Sequence, residues 1–238
     1  MKRIIYAGDS TVTYNRIDTY PQAGLSQGLL YYLNDEVFLR SFAVNGRSTK
    51  SFIDQGRLAV IDAYLKEGDI FLIQFGHNDE KKADESRYTE PFGSFKDNLR
   101  KFIATGRAHG AYPVLLTPIA RRMFDEAGNF IPGSHGDYPA AMKETAKEEG
   151  VPVIDTTSLT ENYLKAVGDH ASRPMYIYPK DNSHLQMHGA VVYAGFIAQA
   201  MRKLGGPYAE VLSPEYASAQ SLSSEGKLEE AFKVETED

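Results

Sequence analysis

Five short apolar runs, each parted from the next by longer stretches with helical spacing, constrain this chain more than any other feature. The runs cover residues 3–8, 37–43, 69–75, 112–116 and 151–154. Elsewhere apolar residues recur three and four positions apart: Leu58, Ile61 and Leu65; Phe92, Phe95, Leu99, Phe102 and Ile103; Leu159, Tyr163, Leu164 and Val167; Met187, Ala190, Val191, Ala194, Ala198 and Met201. Glycine follows each helical stretch, most strongly at Gly205-Gly206-Pro207. Strands that alternate with helices over short connections predict a mostly parallel sheet covered on both faces, an α/β fold. Two connections, residues 75–91 and 117–139, are long for a compact domain and read as functional loops.

Length and charge narrow the classes further. At 238 residues with 42% hydrophobic content, the chain can bury a full core without covalent staples. It has no cysteine, which excludes a disulfide scaffold, a thiolate metal site and a cysteine nucleophile together. The net charge of −6 is carried by residues 205–238, which hold eight acidic and two basic residues. Residues 1–204 are therefore neutral and read as one catalytic domain, with 205–238 as an acidic tail that includes a short helix near Gly226–Phe232. A neutral body predicts neither a nucleic-acid partner nor a membrane partner. No stretch approaches the roughly 18 apolar residues of a membrane span. The apolar run after Met1-Lys2-Arg3 is too short for a signal peptide, so a cytoplasmic location is expected unless a leader was removed. The sequence is as compatible with a homo-oligomer as with a monomer.

In an open parallel sheet, ligands sit beyond the carboxyl ends of the strands. Gly8-Asp9-Ser10, Asn45-Gly46-Arg47-Ser48 and Gly76-His77-Asn78-Asp79 follow the first three runs directly. Asp181-Asn182-Ser183-His184 places a carboxylate and an imidazole three residues apart before the last helical stretch. A serine hydroxyl needs a base to take its proton, the base needs a carboxylate to orient it, and the oxyanion needs fixed donors. Ser10, His184 and Asp181 supply the first three, and the N–H groups of Ser10 and Gly46 with the Asn78 amide supply the donors.

Other residues have plainer readings. Asp9 reads as a turn residue and Asp79 as a helix cap. His77 reads as a loop residue that orients neighbours or lines the pocket. Of Arg121 and Arg122, one is expected to face the site and recognise a carboxylate of the substrate. Gly24-Leu25-Ser26-Gln27-Gly28 imitates a nucleophile elbow but lacks the strand that must precede one, so Ser26 reads as part of a helix start. His184 and His188 fall short of the three ligands a metal site needs, and no metal is expected.

The four blocks, Gly8-Asp9-Ser10, Gly46, Gly76-x-Asn78-Asp79 and Asp181-x-x-His184, resemble in order those of the SGNH (GDSL-type) hydrolases, across about three quarters of the chain. Thr11-Val12 stands where many members carry leucine. With Phe75-Gly76-His77-Asn78-Asp79 and Thr117-Pro118-Ile119-Ala120-Arg121-Arg122, it is similar to the rhamnogalacturonan acetylesterase branch. The resemblance implies a three-layer α/β/α domain with a flavodoxin-like sheet and a cofactor-free serine esterase. It implies a substrate that is an acetylated oligosaccharide of pectin type. Broader deacylation of sugar, lipid or thioester substrates is the alternative within the family, and a non-catalytic sugar-binding protein the alternative outside it.

Overall fold

The computed structural model of the chain describes residues 1–214. In chain order the elements are β1 (Lys2–Gly8), α1 (Leu25–Leu29), β2 (Val37–Ser41), α2 (Thr49–Asp54), α3 (Arg57–Asp62), β3 (Ile70–Gln74), α4 (Lys96–Ala108) and β4 (Tyr112–Leu116). They continue with α5 (Tyr138–Glu149), β5 (Val153–Ile154), α6 (Thr156–Ser172), α7 (Met187–Leu204) and α8 (Gly206–Ala209). The five strands form one sheet in the order β2-β1-β3-β4-β5. Every pairing is parallel, with Ile4 opposite both Leu39 and Ile70, and Ile70 opposite Tyr112.

Side chains of successive strand residues point to opposite faces, and along β1, β3 and β4 both faces are dry. Ile4, Tyr6, Ile70, Leu72, Val114 and Leu116 join one core with α1 and α7. Ile5, Ala7, Phe71, Ile73 and Leu115 join the other with α4 and α5. This explains why these strands read as unbroken apolar runs rather than as alternating patterns. In the second core Phe52, Phe75 and Phe102 meet pairwise at ring separations of 5.1–5.7 Å. Each such contact contributes about 0.5–1.5 kcal/mol beyond area burial.

The strand order places a switch point between β1 and β3. From β1 the chain crosses to β2 on one side, then returns to β3 on the other, so the connections part above these two strands. Ser10 lies just past β1 and Asn78 just past β3, at the mouth of that crevice.

Elements and expectations differ in a few places. The six-residue helix α2 and the twelve-residue helix α5 carry weak apolar periodicity and escape a reading by spacing. Gly168, with φ 78° and ψ 179°, interrupts α6, which resumes to Ser172. The segment expected to begin a tail at residue 205 packs on the body at its start: Val211 and Leu212 are buried, and Ser213 N–H donates to the Tyr32 carbonyl at 2.9 Å. The helix expected near Gly226–Phe232 lies outside the described residues. Among the described residues, no helix is long and apolar enough to cross a membrane.

Candidate active site

The turn after β1 is built around Asp9. Its Oδ1 accepts the Thr11 N–H at 2.9 Å and the Thr11 hydroxyl at 2.8 Å. Its carbonyl accepts the N–H groups of Val12 and Thr13, each at 3.1 Å. Gly8 allows the chain to turn here, because a Cβ would stand 2.7 Å from Val12 Cγ2 and 2.8 Å from the Gln74 carbonyl oxygen. Asp9 is thus a structural anchor, and Ser10 is presented at the apex. The Ser10 carbonyl accepts from Gln22 Nε2 at 3.1 Å, which leaves the hydroxyl side of the residue open to the cleft.

The segment before α7 closes on itself. Ile177 N–H donates to the His184 carbonyl at 3.0 Å, and Arg122 N–H donates to the Asn182 carbonyl at 2.8 Å. Within this loop Asp181 Oδ1 accepts the N–H groups of Ser183 (2.7 Å) and His184 (3.0 Å). Its Oδ2 lies 2.5 Å from His184 Nδ1. Burial pushes the Asp181 pKa up, but the hydrogen bonds from the His184 ring and the two N–H groups outweigh it, and the carboxyl sits below its ordinary value. His184 Nε2 in turn lies 2.8 Å from Ser10 Oγ. The carboxylate requires a proton on Nδ1, so Nε2 is left as the lone pair that faces the hydroxyl.

Three groups surround the space beside Ser10. Gly46 adopts φ 76°, in the left-handed region that favours glycine, and lines the cleft. Among the described residues, neither the Ser10 N–H nor the Gly46 N–H has a protein acceptor. Asn78 is buried and its Nδ2 donates to the Arg47 carbonyl at 3.2 Å, which leaves a second N–H for a ligand. Asp79, expected to cap its own segment, instead grips the start of α2. Its carboxyl accepts the Thr49 N–H (3.0 Å), the Thr49 hydroxyl (2.5 Å) and the Thr89 hydroxyl (3.0 Å). The bond ties the loop that carries Gly46 to the loop that carries Asn78. Burial raises the Asp79 pKa to about 7, against the threonine hydrogen bonds.

Ser10, Gln22, Gly46, Asn78 and His184 line a cleft of about 390 Å³ together with Thr11, Asn45, His77, Lys81, Arg121 and Ser183. The structure separates the two arginines that the sequence left as a pair. Arg121 faces the cleft, donates to Ser183 Oγ, and is ion-paired with Glu80. Arg122 is buried elsewhere: Nε donates to Ser172 Oγ at 3.0 Å, and Nη2 donates to the Asp169 carbonyl at 2.7 Å. Its guanidinium stacks 4.7 Å from the Tyr178 ring. Adjacent residues of an extended segment point opposite ways, so only one could enter the cleft. Ser26 is buried in α1 and donates to the Val12 carbonyl at 2.5 Å, away from the cleft. His188 is exposed on the first turn of α7. No group of three or more His, Asp or Glu side chains that could hold a metal occurs among the described residues.

His77 is buried and lines the cleft, and neither ring nitrogen has a hydrogen-bond partner. Asp9 Oδ2 stands 3.6 Å from its Nδ1, beyond hydrogen-bond reach, and the His135 ring packs edge-on at 4.4 Å. Burial lowers the His77 pKa to about 4, with His135 and Arg121 adding to the shift and Asp9 opposing it. His77 is therefore neutral at neutral pH, while in the unfolded chain it titrates near 6.5. Between those two values the unfolded chain binds the extra proton, so this residue's contribution is full above about pH 6.5 and is lost as pH falls towards 4. Across that window the wild-type protein is expected to lose about 3 kcal/mol that a His77→Gln variant does not lose. Urea midpoints of the two proteins from pH 4 to 8 measure this, and parallel curves would contradict it.

Lys81, Gln22, Asn45 and Ser183 in the cleft wall had no signal in the sequence beyond their place in or near the expected blocks. The pairing of Glu80 with His135 Nδ1, at 2.9 Å across 55 positions, had none at all.

Comparison with known proteins shows the family. Residues 6–191 match the GDSL-like lipase/acylhydrolase family. The chain is 38% identical over 217 residues to the rhamnogalacturonan acetylesterase RhgT of Bacillus subtilis (strain 168), which covers 86% of this chain and 91% of that one. It is 37% identical over 219 residues to the probable rhamnogalacturonan acetylesterase YesY of the same strain, covering 89% and 98%. Among solved structures, YxiM of Bacillus subtilis superposes with a TM-score of 0.76 at 29% identity, with 86% of this chain set against 57% of that longer one. The family match runs from β1 into α7 and spans every residue that meets around Ser10, and the chain belongs to the GDSL-like lipase/acylhydrolase family.

Proposed function

We propose that this protein is a serine acetylesterase that removes acetyl groups from an acidic, pectin-type oligosaccharide, with rhamnogalacturonan fragments as the substrate class. One observation carries the chemistry: Ser10 Oγ, His184 and Asp181 form a continuous line of contacts of 2.8 Å and 2.5 Å. His184 Nε2 takes the Ser10 proton as Oγ attacks the acetyl carbonyl. The negative charge that develops on the carbonyl oxygen is held by the Ser10 and Gly46 N–H groups and the Asn78 amide. Each such donor lowers the barrier by about 3–4 kcal/mol. His184 then gives its proton to the departing sugar oxygen. Water, deprotonated by the same nitrogen, releases acetate from the acetyl-serine, and Ser10 recovers its hydrogen.

The cleft wall supports the acidic sugar. It includes Lys81 and Arg121 but no Asp or Glu. Arg121 is neutralised by Glu80, whereas Lys81 has no acidic side chain within ion-pair distance among the described residues. Acetate release from acetylated rhamnogalacturonan fragments, acetylated xylo-oligosaccharides and aryl esters of two to eight carbons tests the reading. Preference for acetyl over longer chains and for the acidic oligosaccharide is expected. A preference for octanoyl esters, or equal rates on acidic and neutral sugars, would refute the substrate assignment.

A further inference from the structure

Arg87 stands nine positions after Asn78 on the same long loop, and nothing in the sequence marks it. Its Nη1 donates to Asn78 Oδ1 at 3.3 Å. Its Nε donates to Asp84 Oδ2 at 2.6 Å. Asp84 is itself held, because its Oδ1 accepts the Ser86 N–H at 3.1 Å and the Ser86 hydroxyl at 2.5 Å. The Asp84 carbonyl accepts the N–H groups of Arg87 (3.0 Å) and Tyr88 (2.8 Å), so the guanidinium leaves from a closed turn. A Cβ placed on Gly46 would find Arg87 Nη1 as its nearest neighbour, at 4.0 Å. The guanidinium thus adjoins two of the three groups that face the space beside Ser10.

A primary amide has two ends of nearly equal shape, and its neighbours decide which end is oxygen. At Asn78 the two neighbours agree. A cationic donor meets Oδ1, and the Arg47 carbonyl meets Nδ2. Reversal would set the NH₂ group against a guanidinium and the amide oxygen against a carbonyl oxygen, which loses both contacts and creates two repulsions. The remaining N–H is thereby held in one direction. Hydrogen bonds polarise one another, so a guanidinium on the amide oxygen also strengthens that N–H as a donor. The positive charge lies close to where an oxyanion would form, in a partly buried setting where it is screened less than in water.

We propose that Arg87, held by Asp84, is a positioning residue for the reaction. It locks and polarises the Asn78 amide so that a free N–H faces the developing oxyanion. The proposal rests on the reading of Asn78 as an oxyanion donor.

The test is a double-mutant cycle on a small neutral acetyl ester, which makes no charge contact of its own. Arg87→Met is expected to lower kcat roughly tenfold with KM within about twofold, a fraction of the hundred- to thousandfold that loss of a whole oxyanion donor costs. Arg87→Lys should recover most of the loss. In an Asn78→Ala background, Arg87→Met should cost less than about twofold, because its target is gone. Full kcat in Arg87→Met, or the same loss in both backgrounds, would overturn the proposal, since a merely structural role lowers activity whether or not Asn78 is present. Full activity in Asn78→Ala alone would overturn the oxyanion reading and this proposal with it. An impaired Asn78→Ala beside an unimpaired Arg87→Met would overturn the proposal only. Should Arg87→Met fail to fold, Asp84→Ala, which frees the guanidinium, is read in the same two backgrounds with the same outcomes.

Discussion

Replacing Ser10 with alanine is expected to lower kcat for acetyl-ester hydrolysis by about 10⁵- to 10⁶-fold, the scale on which loss of a serine nucleophile acts elsewhere. The fold should survive. The side chain loses one oxygen, whose one hydrogen-bond partner among the described residues is His184. The turn is held by Asp9, Thr11 and Gln22 through atoms that alanine keeps. A residual rate from the oxyanion donors and substrate binding is expected, so the variant should be slow rather than wholly inert. Measurement needs an activated acetyl ester, a thermal melt to show an intact fold, and a phosphonate that labels Ser10 in the wild-type protein alone. Undiminished turnover in the alanine variant would end the acyl-serine mechanism.

Asp181→Asn should cost about 10⁴-fold in kcat, more than the loss of one charge would suggest. The reason lies in the second carboxylate oxygen. Oδ1 accepts two backbone N–H groups, from Ser183 and His184. In the variant the amide oxygen must stay on those donors, since an NH₂ group there would face two N–H groups at under 3.1 Å. The NH₂ end then points at His184 Nδ1, which has to accept. The ring proton moves to Nε2, the nitrogen that faces Ser10, and the base is lost through its tautomer rather than its position. Asp181→Ala, which imposes neither tautomer, should be the less damaged of the two. Steady-state kinetics of both variants decide the point: an asparagine variant more active than the alanine variant would refute this account of how the loop selects the tautomer.

Much of this site was legible because its parts obey local rules. The strands β1, β3 and β4 could be read from short apolar windows, since a strand covered on both faces must be apolar at nearly every position, whereas the edge strand β2 alternates half-buried and exposed residues and carries Arg40. Ser10, Gly46 and Asn78 could be placed near one another because loops at the carboxyl ends of adjacent parallel strands share a crevice. Asp181 and His184 could be paired because three residues of turn suffice to bring them together. Asp79 and Arg122 show where that reasoning ends. Asp79 looked like a cap for its own segment and instead binds Thr49, thirty positions earlier. Arg122 looked equivalent to Arg121 and instead lies against Ser172 and Asp169.

Apolar periodicity, the polar clusters after the first three strands and the Asp181–His184 pair before the last helix already committed this chain to a parallel, doubly covered sheet with a serine, an imidazole and a carboxylate at one end. Backbone geometry dictates these patterns over a few residues, so they survive in the linear order. Folding alone decided which arginine enters the cleft, that His77 stays neutral, and that Arg87 reaches the Asn78 amide. Those outcomes depend on contacts between loops whose directions are set by packing at a distance, and no short window of residues contains that information.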